Sequence, residues 1–460
     1  MIYIENVSFQ YAEGKKYNLK NINLHINPGE CVLLCGKSGC GKTTVTKVVN
    51  GLIPHFSEGK LEGTVISAGM EVRKTEMYKL SSKIGSVFQN PKSQFFNIDS
   101  DSELAFGLEN KGEEPEYIRK RIEETVKDLE IEKLIDRNIF TMSGGEKQAL
   151  AFAAIYSMNP EIYVLDEPSA NLDKKTTNIL RKQLEKIKSL GKTILIAEHR
   201  LYYLTELIDK AVYMENGEVV RVYSRDEFLA LSDGDRIKMG LRKIKEVMPK
   251  NSKADISDKS TLVVSGLSYL NKKKPIFKDV SFSASEGEVI GVLGNNGMGK
   301  TTLMRCLSGL IKEKNGSIKL NGKSLSPKQR NKTCYMIMQD VNHQLFSESV
   351  WNECKLSTKD VKENDIITIL KEFDLERHKE KHPMVLSGGQ KQRLAIATGL
   401  LADKKILIFD EPTSGLDYEN MSVVSKMIKK LSSENHIIFI VTHDMEFLEL
   451  TCDRIITNYN

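Results

Sequence analysis

The glycine-rich pattern G-x-x-x-x-G-K-[ST] occurs twice in this chain of 460 residues, at positions 36–43 and again at 294–301. Three further motifs recur in the same order at a constant offset of 244 residues. They are Ser-Gly-Gly at 143 and 387, Asp-Glu-Pro at 166 and 410, and a histidine at 199 and 443. A chain made of two copies of one unit must fold as two similar domains. We therefore predict domains at 1–235 and 259–460, joined by a linker at 236–258.

Composition excludes several classes of protein. Hydrophobic residues make up 40% and charged residues 28% of the chain, as in ordinary globular proteins. A net charge of +5 is small for a nucleic-acid-binding protein, and no apolar run is long enough for a transmembrane helix. The seven cysteines contain no C-x-x-C pair, which argues against disulfides, iron–sulfur clusters and structural zinc. We expect a protein of the reducing cytosol, with no nucleic-acid partner.

Short apolar runs alternate with amphipathic helical segments along both halves. The runs at 31–35, 162–165 and 194–197 are typical of buried strands, as are those at 288–293, 406–409 and 437–441. Residues 117–134 have the pattern of a long helix. Strands that alternate with helices predict an α/β fold with a parallel sheet in each domain. Ile2, Ile4 and Val7 alternate differently and predict a smaller antiparallel sheet beside it.

The glycine-rich pattern lies between a predicted strand and a predicted helix, which is the context of a phosphate-binding loop. Its glycines let backbone N–H groups point inward, and the helix N-terminus adds positive potential. Lys42 and Lys300 would reach the β- and γ-phosphates of a nucleotide, and Thr43 and Thr301 would bind Mg²⁺. The predicted phosphate-binding residues are Gly36, Lys37, Ser38, Gly39, Cys40, Gly41, Lys42, Thr43 and Thr44, and Gly294, Asn295, Asn296, Gly297, Met298, Gly299, Lys300, Thr301 and Thr302.

Acidic pairs end two of the predicted strands. A carboxylate at the end of a buried strand is costly unless it meets a cation, so Asp166 and Asp410 are candidate Mg²⁺ ligands. The adjacent Glu167 and Glu411 would orient or deprotonate the attacking water, because phosphoryl transfer requires mainly positioning and charge neutralisation. A lone histidine is most often a core residue. The repeated place of His199 and His443 instead suggests sensors of the γ-phosphate.

Together these motifs resemble the nucleotide-binding domain of ATP-binding cassette (ABC) proteins, twice over and across essentially the whole chain. The resemblance implies ATP and Mg²⁺ as cofactors, and a parallel-sheet core with a small antiparallel subdomain and a helical subdomain. It implies roles in hydrolysis and Mg²⁺ binding for Gln89 and Gln339. It also implies that the two domains pair head to tail, each phosphate-binding loop facing the other domain's signature. The signature residues are Ser143, Gly144, Gly145 and Glu146, and Ser387, Gly388, Gly389 and Gln390.

The two copies differ at the position implied for adenine stacking. Tyr11 fits that position in the first copy. In the second copy, Tyr269 has the same spacing to the phosphate-binding loop, but it aligns equally well with Phe9, which would leave Asn271 at the stacking position. The sequence leaves the two alignments open.

A narrower resemblance concerns residues after the two glutamines. Gln-Phe-Phe at 94–96, Gln-Leu-Phe at 344–346, and the stretches at 105–110 and 197–201 are similar to the ATPase subunits of energy-coupling factor importers. That resemblance implies a peripheral protein at the cytoplasmic face of the membrane, bound to a transmembrane scaffold subunit and a substrate-capturing membrane subunit. The alternative is a twin-cassette F-type protein of the ribosome. The segments at 169–173 and 413–417 lack the Thr-Asn-His-Leu-Asp that is usual there.

Three local features of the sequence each allow two interpretations. The thiol of Cys40 lies in the phosphate-binding loop, where it is either an activated thiolate or simply a small residue. Phe95, Phe96, Leu345 and Phe346 either line grooves for helices of the scaffold subunit or belong to the core. Residues 236–253 contain seven basic residues and one acid, which favours a solvated linker helix over a contact with anionic lipid.

Overall fold

The computed structural model describes residues 1–14, 16–170, 172–247, 260–271, 274–295, 297–357 and 361–457. Two compact units divide the chain, Met1–Glu246 with Asp417–Glu419, and Val247–Leu416 with Asn420–Asn460. Each unit combines parallel and antiparallel sheets with helices, so the α/β fold predicted for both halves is confirmed.

The strands have the following bounds: β1 (Ile2–Tyr11), β2 (Leu19–Ile26), β3 (Cys31–Cys35), β4 (Gly59–Ser67), β5 (Met70–Glu71), β6 (Ile84–Val87), β7 (Ile162–Asp166), β8 (Thr193–Ala197), β9 (Lys210–Glu215), β10 (Glu218–Ser224), β11 (Leu262–Asn271), β12 (Lys274–Ala284), β13 (Val289–Val292), β14 (Asn315–Leu320), β15 (Lys323–Ser324), β16 (Cys334–Ile337), β17 (Ile406–Asp410), β18 (Ile437–Val441) and β19 (Arg454–Ile456).

The α-helices have the following bounds: α1 (Lys42–Val49), α2 (Leu52–His55), α3 (Met77–Lys83), α4 (Ser100–Asn110), α5 (Pro115–Leu129), α6 (Gly144–Ser157), α7 (Lys174–Ser189), α8 (Arg225–Leu229), α9 (Asp233–Lys238), α10 (Lys300–Leu307), α11 (Pro327–Thr333), α12 (Val350–Lys355), α13 (Glu363–Glu372), α14 (Gly388–Leu401), α15 (Tyr418–Ser433) and α16 (Met445–Thr451). Single 3₁₀ turns occur at Pro91–Ser93, Glu132–Leu134, Ile139–Thr141, Val341–His343, Glu376–His378 and Pro383–Val385.

A predominantly parallel sheet forms the centre of each unit. In the first unit the strand order is β10-β9-β3-β8-β7-β6, with β10 antiparallel to β9, and in the second it is β16-β17-β18-β13-β19. Alternate residues of β3 enter opposite cores. Leu33 belongs to the cluster under α6 and α7, whereas Val32 and Leu34 pack with α1 and the small sheet. Because β3 and β13 are inner strands, the loops that follow them emerge from the middle of a rigid layer.

The small antiparallel sheet lies where the alternating apolar residues predicted it. Its order is β2-β1-β4-β5 in the first unit and β12-β11-β14-β15 in the second. Ile2, Ile4 and Val7 are buried, as expected for the inward face of such a sheet.

Two predicted segments differ from the structure. The helix predicted at 117–134 ends at Leu129, because Glu130 adopts a left-handed backbone conformation with φ of 55°. The solvated linker helix predicted from residue 236 is wrong at its start, because α9 begins at Asp233 and Arg236 is buried, at 3% exposure. Arg236 donates to the carbonyl of Leu241, and the first unit continues to Glu246. The rest of the predicted linker, 248–258, lies outside the described residues. Within the described ranges, no helix is long and apolar enough to span a membrane.

Candidate active site

The phosphate-binding loop of the first unit connects β3 to α1. Gly36 has a φ of 143°, and a Cβ atom there would lie 2.2 Å from the carbonyl oxygen of Met214, so a side chain would not fit. Gly41, with a φ of 109°, immediately precedes α1. The Nζ of Lys42 is folded over the loop and donates to the carbonyls of Gly36 at 3.0 Å and Lys37 at 3.1 Å. The loop therefore has the turn and the cation that phosphate binding requires.

The second unit repeats this arrangement between β13 and α10. The Nζ of Lys300 donates to the carbonyls of Gly294 at 2.6 Å and Asn295 at 3.0 Å. It also lies 3.0 Å from the Nε2 of His443. Asn296 lies outside the described residues.

The predicted Mg²⁺ ligands come together in both units. The hydroxyl of Thr43 donates to Asp166 at 3.0 Å, and that of Thr301 donates to Asp410 at 2.9 Å. Burial, together with the nearby Glu167, raises the pKa of Asp166 to about 6, and burial also raises that of Asp410. Hydroxyl and carboxylate oxygens suit Mg²⁺, and a cation would compensate the buried negative charge. The residues present therefore fit the ion.

Glu167 lies at the centre of a hydrogen-bonded cluster in the first unit. Its Oε2 accepts from the amide of Gln89 at 2.7 Å, and its Oε1 lies 3.4 Å from the Nε2 of His199. Burial opposes ionisation of Glu167, but the contact with His199 and the charge of Lys42 together outweigh it, so the pKa of Glu167 is lowered. The backbone of Glu167 is left-handed, with φ of 46°. Such a conformation is uncommon for a residue with a side chain and costs conformational energy.

Glu411 has a related but different environment in the second unit. Its Oε2 accepts from the hydroxyl of Thr442 at 2.8 Å, and its Oε1 lies 3.6 Å from the Nε2 of His443. Its φ of 51° matches that of Glu167. Both candidate water-orienting carboxylates are thus held beside a histidine and directly after a buried strand.

The signature residues begin long helices in both units. Ser143 caps α6 and Ser387 caps α14, each through a capping box with the residue three positions later. Glu146 and Gln390 both accept from the backbone N–H of the capping serine, at 2.7 and 2.9 Å. Arg137 neutralises Glu146 with a contact of 2.5 Å. The substitution of glutamate for glutamine therefore preserves the cap and leaves an exposed helix N-terminus.

Strand register decides between the two alignments of the adenine-stacking position. Phe9 pairs with Leu19 across β1 and β2, and Tyr269 pairs with Phe277 at the matching place across β11 and β12. Tyr269 also stacks on Phe277, with ring centroids 6.3 Å apart. Tyr269 is therefore the counterpart of Phe9. Asn271, at the end of β11, corresponds to Tyr11, at the end of β1.

The structure contradicts the hypothesis that Cys40 is an activated thiolate. Its side chain is 4% exposed, and burial raises the pKa of its thiol despite Lys42, whose Nζ lies 3.9 Å from the sulfur. The sequence pattern showed the charges around Cys40 but not its burial. The structure favours the other hypothesis, a small buried residue.

The four proposed groove residues divide into two pairs. Phe96 and Phe346 are each 76% exposed, whereas Leu345 is 3% exposed and Phe95 packs against the main core. The groove hypothesis therefore fails for Leu345 and Phe95 and stands for the other two residues. The sequence pattern did not distinguish the exposed pair from the buried pair, because all four residues are apolar.

Sequence reasoning missed three buried carboxylates that organise the neighbouring loops. Glu198 is 2% exposed and accepts from the backbone N–H of Ser169 and from the hydroxyl of Tyr203. Glu103 and Glu353 each accept two backbone N–H groups from the loop that contains the exposed phenylalanine. Their recurrence 250 residues apart is a signal that the sequence comparison could have used.

The sequence matches the ABC transporter family model at residues 19–170 and 277–414. Both regions contain the loop, carboxylates and signature helix described above. The chain belongs to the ABC transporter family, as the motifs predicted. It is an ATPase with two cassettes that uses ATP with Mg²⁺.

Relatives extend the similarity over nearly the whole chain. A protein of Treponema denticola, provisionally named an ABC transporter ATP-binding protein, is 46% identical over 99% of this chain and 95% of its own length. A Bacillus subtilis protein, provisionally named the HMP/thiamine import ATP-binding protein YkoD, is 32% identical over 99% of this chain and 89% of its own. The archaeal ABCE1 in a model of ribosome-bound Pelota and ABCE1 has a TM-score of 0.67 and 25% identity, covering 98% of this chain and 76% of that one.

Proposed function

We propose that this protein is the motor subunit of an importer of the energy-coupling factor type. ATP binding and hydrolysis would drive uptake of a vitamin or metal ion through a transmembrane scaffold subunit and a substrate-capturing membrane subunit. The protein would act at the cytoplasmic face of the membrane. The observation that carries this proposal is an apolar groove in the first cassette, directly behind Gln89.

The groove has a volume of about 730 Å³. Phe96 and Phe106 stack along it with ring centroids 4.9 Å apart, and Tyr78 lies on another part of its wall. Phe96 and Tyr78 are 76% and 67% exposed. Large aromatic side chains exposed together around a concave surface are typical of a protein-binding site. A short amphipathic helix of a scaffold subunit has the shape and apolar face to fill such a groove.

Hydrogen bonds connect the groove to the nucleotide site. Gln94, which lines the groove, donates to the carbonyl of Ser86 at 3.0 Å and accepts from the N–H of Phe88 at 3.3 Å. These bonds hold the segment that contains Gln89, and Gln89 contacts Glu167. Movement of Gln89 towards bound ATP and Mg²⁺ would therefore also move the groove wall. Gln344 makes the equivalent bonds in the second cassette, to Met336 and Met338.

The hydrolytic step would depend on a few side chains in each cassette. Lys42 would leave the loop carbonyls to contact phosphate oxygens, and bound Mg²⁺ would neutralise phosphate charge. Gln89 would release Glu167, whose carboxylate then orients water or accepts its proton, while His199 holds the carboxylate in place. Glu411 and His443 would serve the second site in the same way. We further propose that the signature helices complete the sites in head-to-tail pairing, contributing backbone N–H groups to the γ-phosphate.

The relatives support an importer more than a ribosomal protein. YkoD, named for HMP/thiamine import, matches this chain along almost its whole length. The likeness to the ribosome-bound ABCE1 has lower identity and spans a smaller share of that protein. Importer ATPases and ribosomal proteins of this kind both have twin cassettes, so the choice between the two functions depends on the groove and its exposed aromatic residues.

The groove can be tested by replacing both exposed phenylalanines with serine in one variant, Phe96→Ser and Phe346→Ser. Because both side chains are exposed, we expect the variant to stay folded and to hydrolyse ATP. Co-purification with membrane subunits and uptake should be lost. Leu345→Ser is the matched control, because truncation of a buried leucine typically costs about 2 to 5 kcal/mol and should destabilise the protein itself.

Cell fractionation provides the opposing outcome. We expect the wild-type protein in the membrane fraction, together with integral membrane partners. Normal binding of those partners by the double variant would refute the groove. Co-sedimentation of the wild-type protein with ribosomes, and no membrane partner, would refute the importer and favour the F-type function.

A further inference from the structure

A cavity opens in the second cassette at the carboxyl end of the signature helix α14, between α13 and α15. Its volume is about 630 Å³, within the range of small-molecule sites. The floor is apolar and the rim is acidic. The floor contains Ile369, Leu400 and Leu431, and the rim contains Asp365, Glu372 and Glu434.

The first cassette fills the equivalent place with its own guanidinium group. Arg121 donates to the carbonyls of Tyr156 at 2.8 Å and Ser157 at 3.0 Å, at the carboxyl end of α6. The guanidinium carbon lies 4.9 Å from the centre of the Tyr156 ring. Tyr156 is buried, at 1% exposure, and the Arg121 side chain is partly buried, at 13% exposure. A cation in this position is stabilised by the partial negative charge of the helix C-terminus and by the face of the aromatic ring.

The offset of 244 residues shows which side chains of the second cassette correspond to Arg121 and Tyr156. Asp365 replaces Arg121 and Leu400 replaces Tyr156, so this place loses a cation and an aromatic ring and gains a carboxylate. The carboxyl ends of the two helices correspond, because the equivalent residues Glu130 and Asp374 both have left-handed backbones, with φ of 55° and 51°.

One ion pair is retained between the two cassettes. Asp128 bonds Lys186 at 2.9 Å in the first, and Glu372 bonds Lys430 at 2.6 Å in the second. Among the described residues that line the cavity, Lys430 is the one cation, against the acids Asp365, Glu372, Asp403 and Glu434. The carboxyl end of α14 adds partial negative charge. The place that binds an internal guanidinium in one cassette is therefore open and acidic in the other.

We propose that this cavity binds a small organic cation with a guanidinium head and a short aliphatic stem. The head occupies the place corresponding to that of Arg121, near Asp365 and Glu372, and the stem packs on Ile369 and Leu400. Charge complementarity determines the head group, and the apolar floor accounts for the stem. The proposal does not depend on the transported substrate or on the membrane partners.

The test uses the full-length protein and agmatine as the probe. N-carbamoylputrescine is the matched control, because it keeps the stem and terminal ammonium of agmatine and replaces only the guanidinium with an uncharged urea. Ligand-detected saturation-transfer NMR at constant ionic strength measures binding. We expect saturable agmatine binding with a dissociation constant of about 1 mM, and much weaker binding of N-carbamoylputrescine. Glu372→Gln should weaken agmatine binding by about tenfold, because it removes a carboxylate and leaves Lys430 beside the ligand.

A rebuilt variant provides the sharper control. Asp365→Arg with Leu400→Tyr restores the filled arrangement of the first cassette and should abolish agmatine binding without changing ATPase activity. If the rebuilt variant does not fold, Asp365→Asn replaces it as the test, and this variant should weaken agmatine binding. Equal binding of both probes, no saturable binding, or agmatine binding unchanged in these variants would overturn the proposal. The absence of saturable binding includes the case in which only an arginine of a partner protein fits the site.

Discussion

The burial of Arg330 is not evident from the sequence. It lies on α11 with 1% exposure and bonds Glu313, whose side chain is 15% exposed. The Nε and Nη1 of Arg330 have no hydrogen-bond partner among the described residues. The equivalent residue of the first cassette, 250 positions earlier, is the fully buried Leu80. One cassette therefore places a charge where the other has a hydrocarbon.

This buried pair supports a stability prediction. Glu313→Gln should lower the free energy of unfolding of the second cassette by about 3 to 5 kcal/mol, because it leaves Arg330 charged and unpaired. Adding Arg330→Leu, which copies the first cassette, should restore most of the loss. Denaturant unfolding of the two variants measures both effects. Equal destabilisation in the single and double variants would contradict the explanation.

The same pair predicts a direction for pH dependence. Burial opposes ionisation of Glu313, but the hydrogen bond and charge of Arg330, a backbone hydrogen bond and the charge of Lys312 together outweigh it and lower the pKa of Glu313 below its ordinary value. A carboxyl with a lowered folded-state pKa stabilises the protein above the unfolded-state pKa. That contribution is lost as pH falls through the folded-state value. The stability difference between wild type and Glu313→Gln should therefore shrink in acid.

Among the helices, α4 and α12 hold the loops that present the exposed phenylalanines. Glu103 of α4 accepts from the N–H groups of Phe96 at 3.1 Å and Asn97 at 2.9 Å, and its side chain is buried. A loop held through its backbone keeps an apolar side chain in water without requiring that side chain to pack. The helix, rather than the loop sequence, therefore positions the groove wall.

Glu103→Ala should increase hydrogen exchange in the peptide that contains Phe96 and Asn97. Losing a buried acceptor costs about 1 to 3 kcal/mol, so exchange of these amides should rise by at least fivefold. The equivalent peptide with Phe346 is the internal control, because Glu353 is intact. Glu103→Gln, which retains an amide oxygen, should have a smaller effect. Unchanged exchange in the alanine variant would show that other contacts hold the loop.

The two cassettes retain the same candidate hydrolytic groups. Glu167 and Glu411 follow buried strands, have left-handed backbones and lie beside histidines. Neither site lacks its carboxylate, lysine or threonine. The structure therefore gives no reason to assign hydrolysis to one cassette alone.

Changing Glu167 and Glu411 together to glutamine should reduce Mg²⁺-dependent ATP hydrolysis by at least a hundredfold, since general base catalysis typically contributes 10²–10⁴. ATP binding should be preserved, because Lys42, Lys300 and the threonines remain. Steady-state turnover and equilibrium nucleotide binding measure the two effects separately. Each single variant serves as a control for the opposite site. Loss of nucleotide binding in the double variant would contradict the assigned roles.

The fold and most of the candidate site could be predicted because each depends on local patterns. A phosphate-binding loop needs glycine at set positions and a lysine at the start of a helix, and both are visible in residues 36–43 and 294–301. The buried strands are continuous apolar runs, and β18 has the predicted bounds 437–441. Repetition at one offset made accidental matches improbable without any knowledge of contacts.

Tertiary structure decided the features that depend on what surrounds a residue. Strand pairing assigned Asn271, rather than Tyr269, to the place of Tyr11. Burial raised the pKa of Cys40, although the neighbouring charges alone favour its thiolate. Packing buried Leu345 and exposed Phe346, two adjacent apolar residues that composition cannot distinguish. Motifs follow from backbone geometry and ligand chemistry, which are local, whereas burial and register are set by residues that are distant in the sequence.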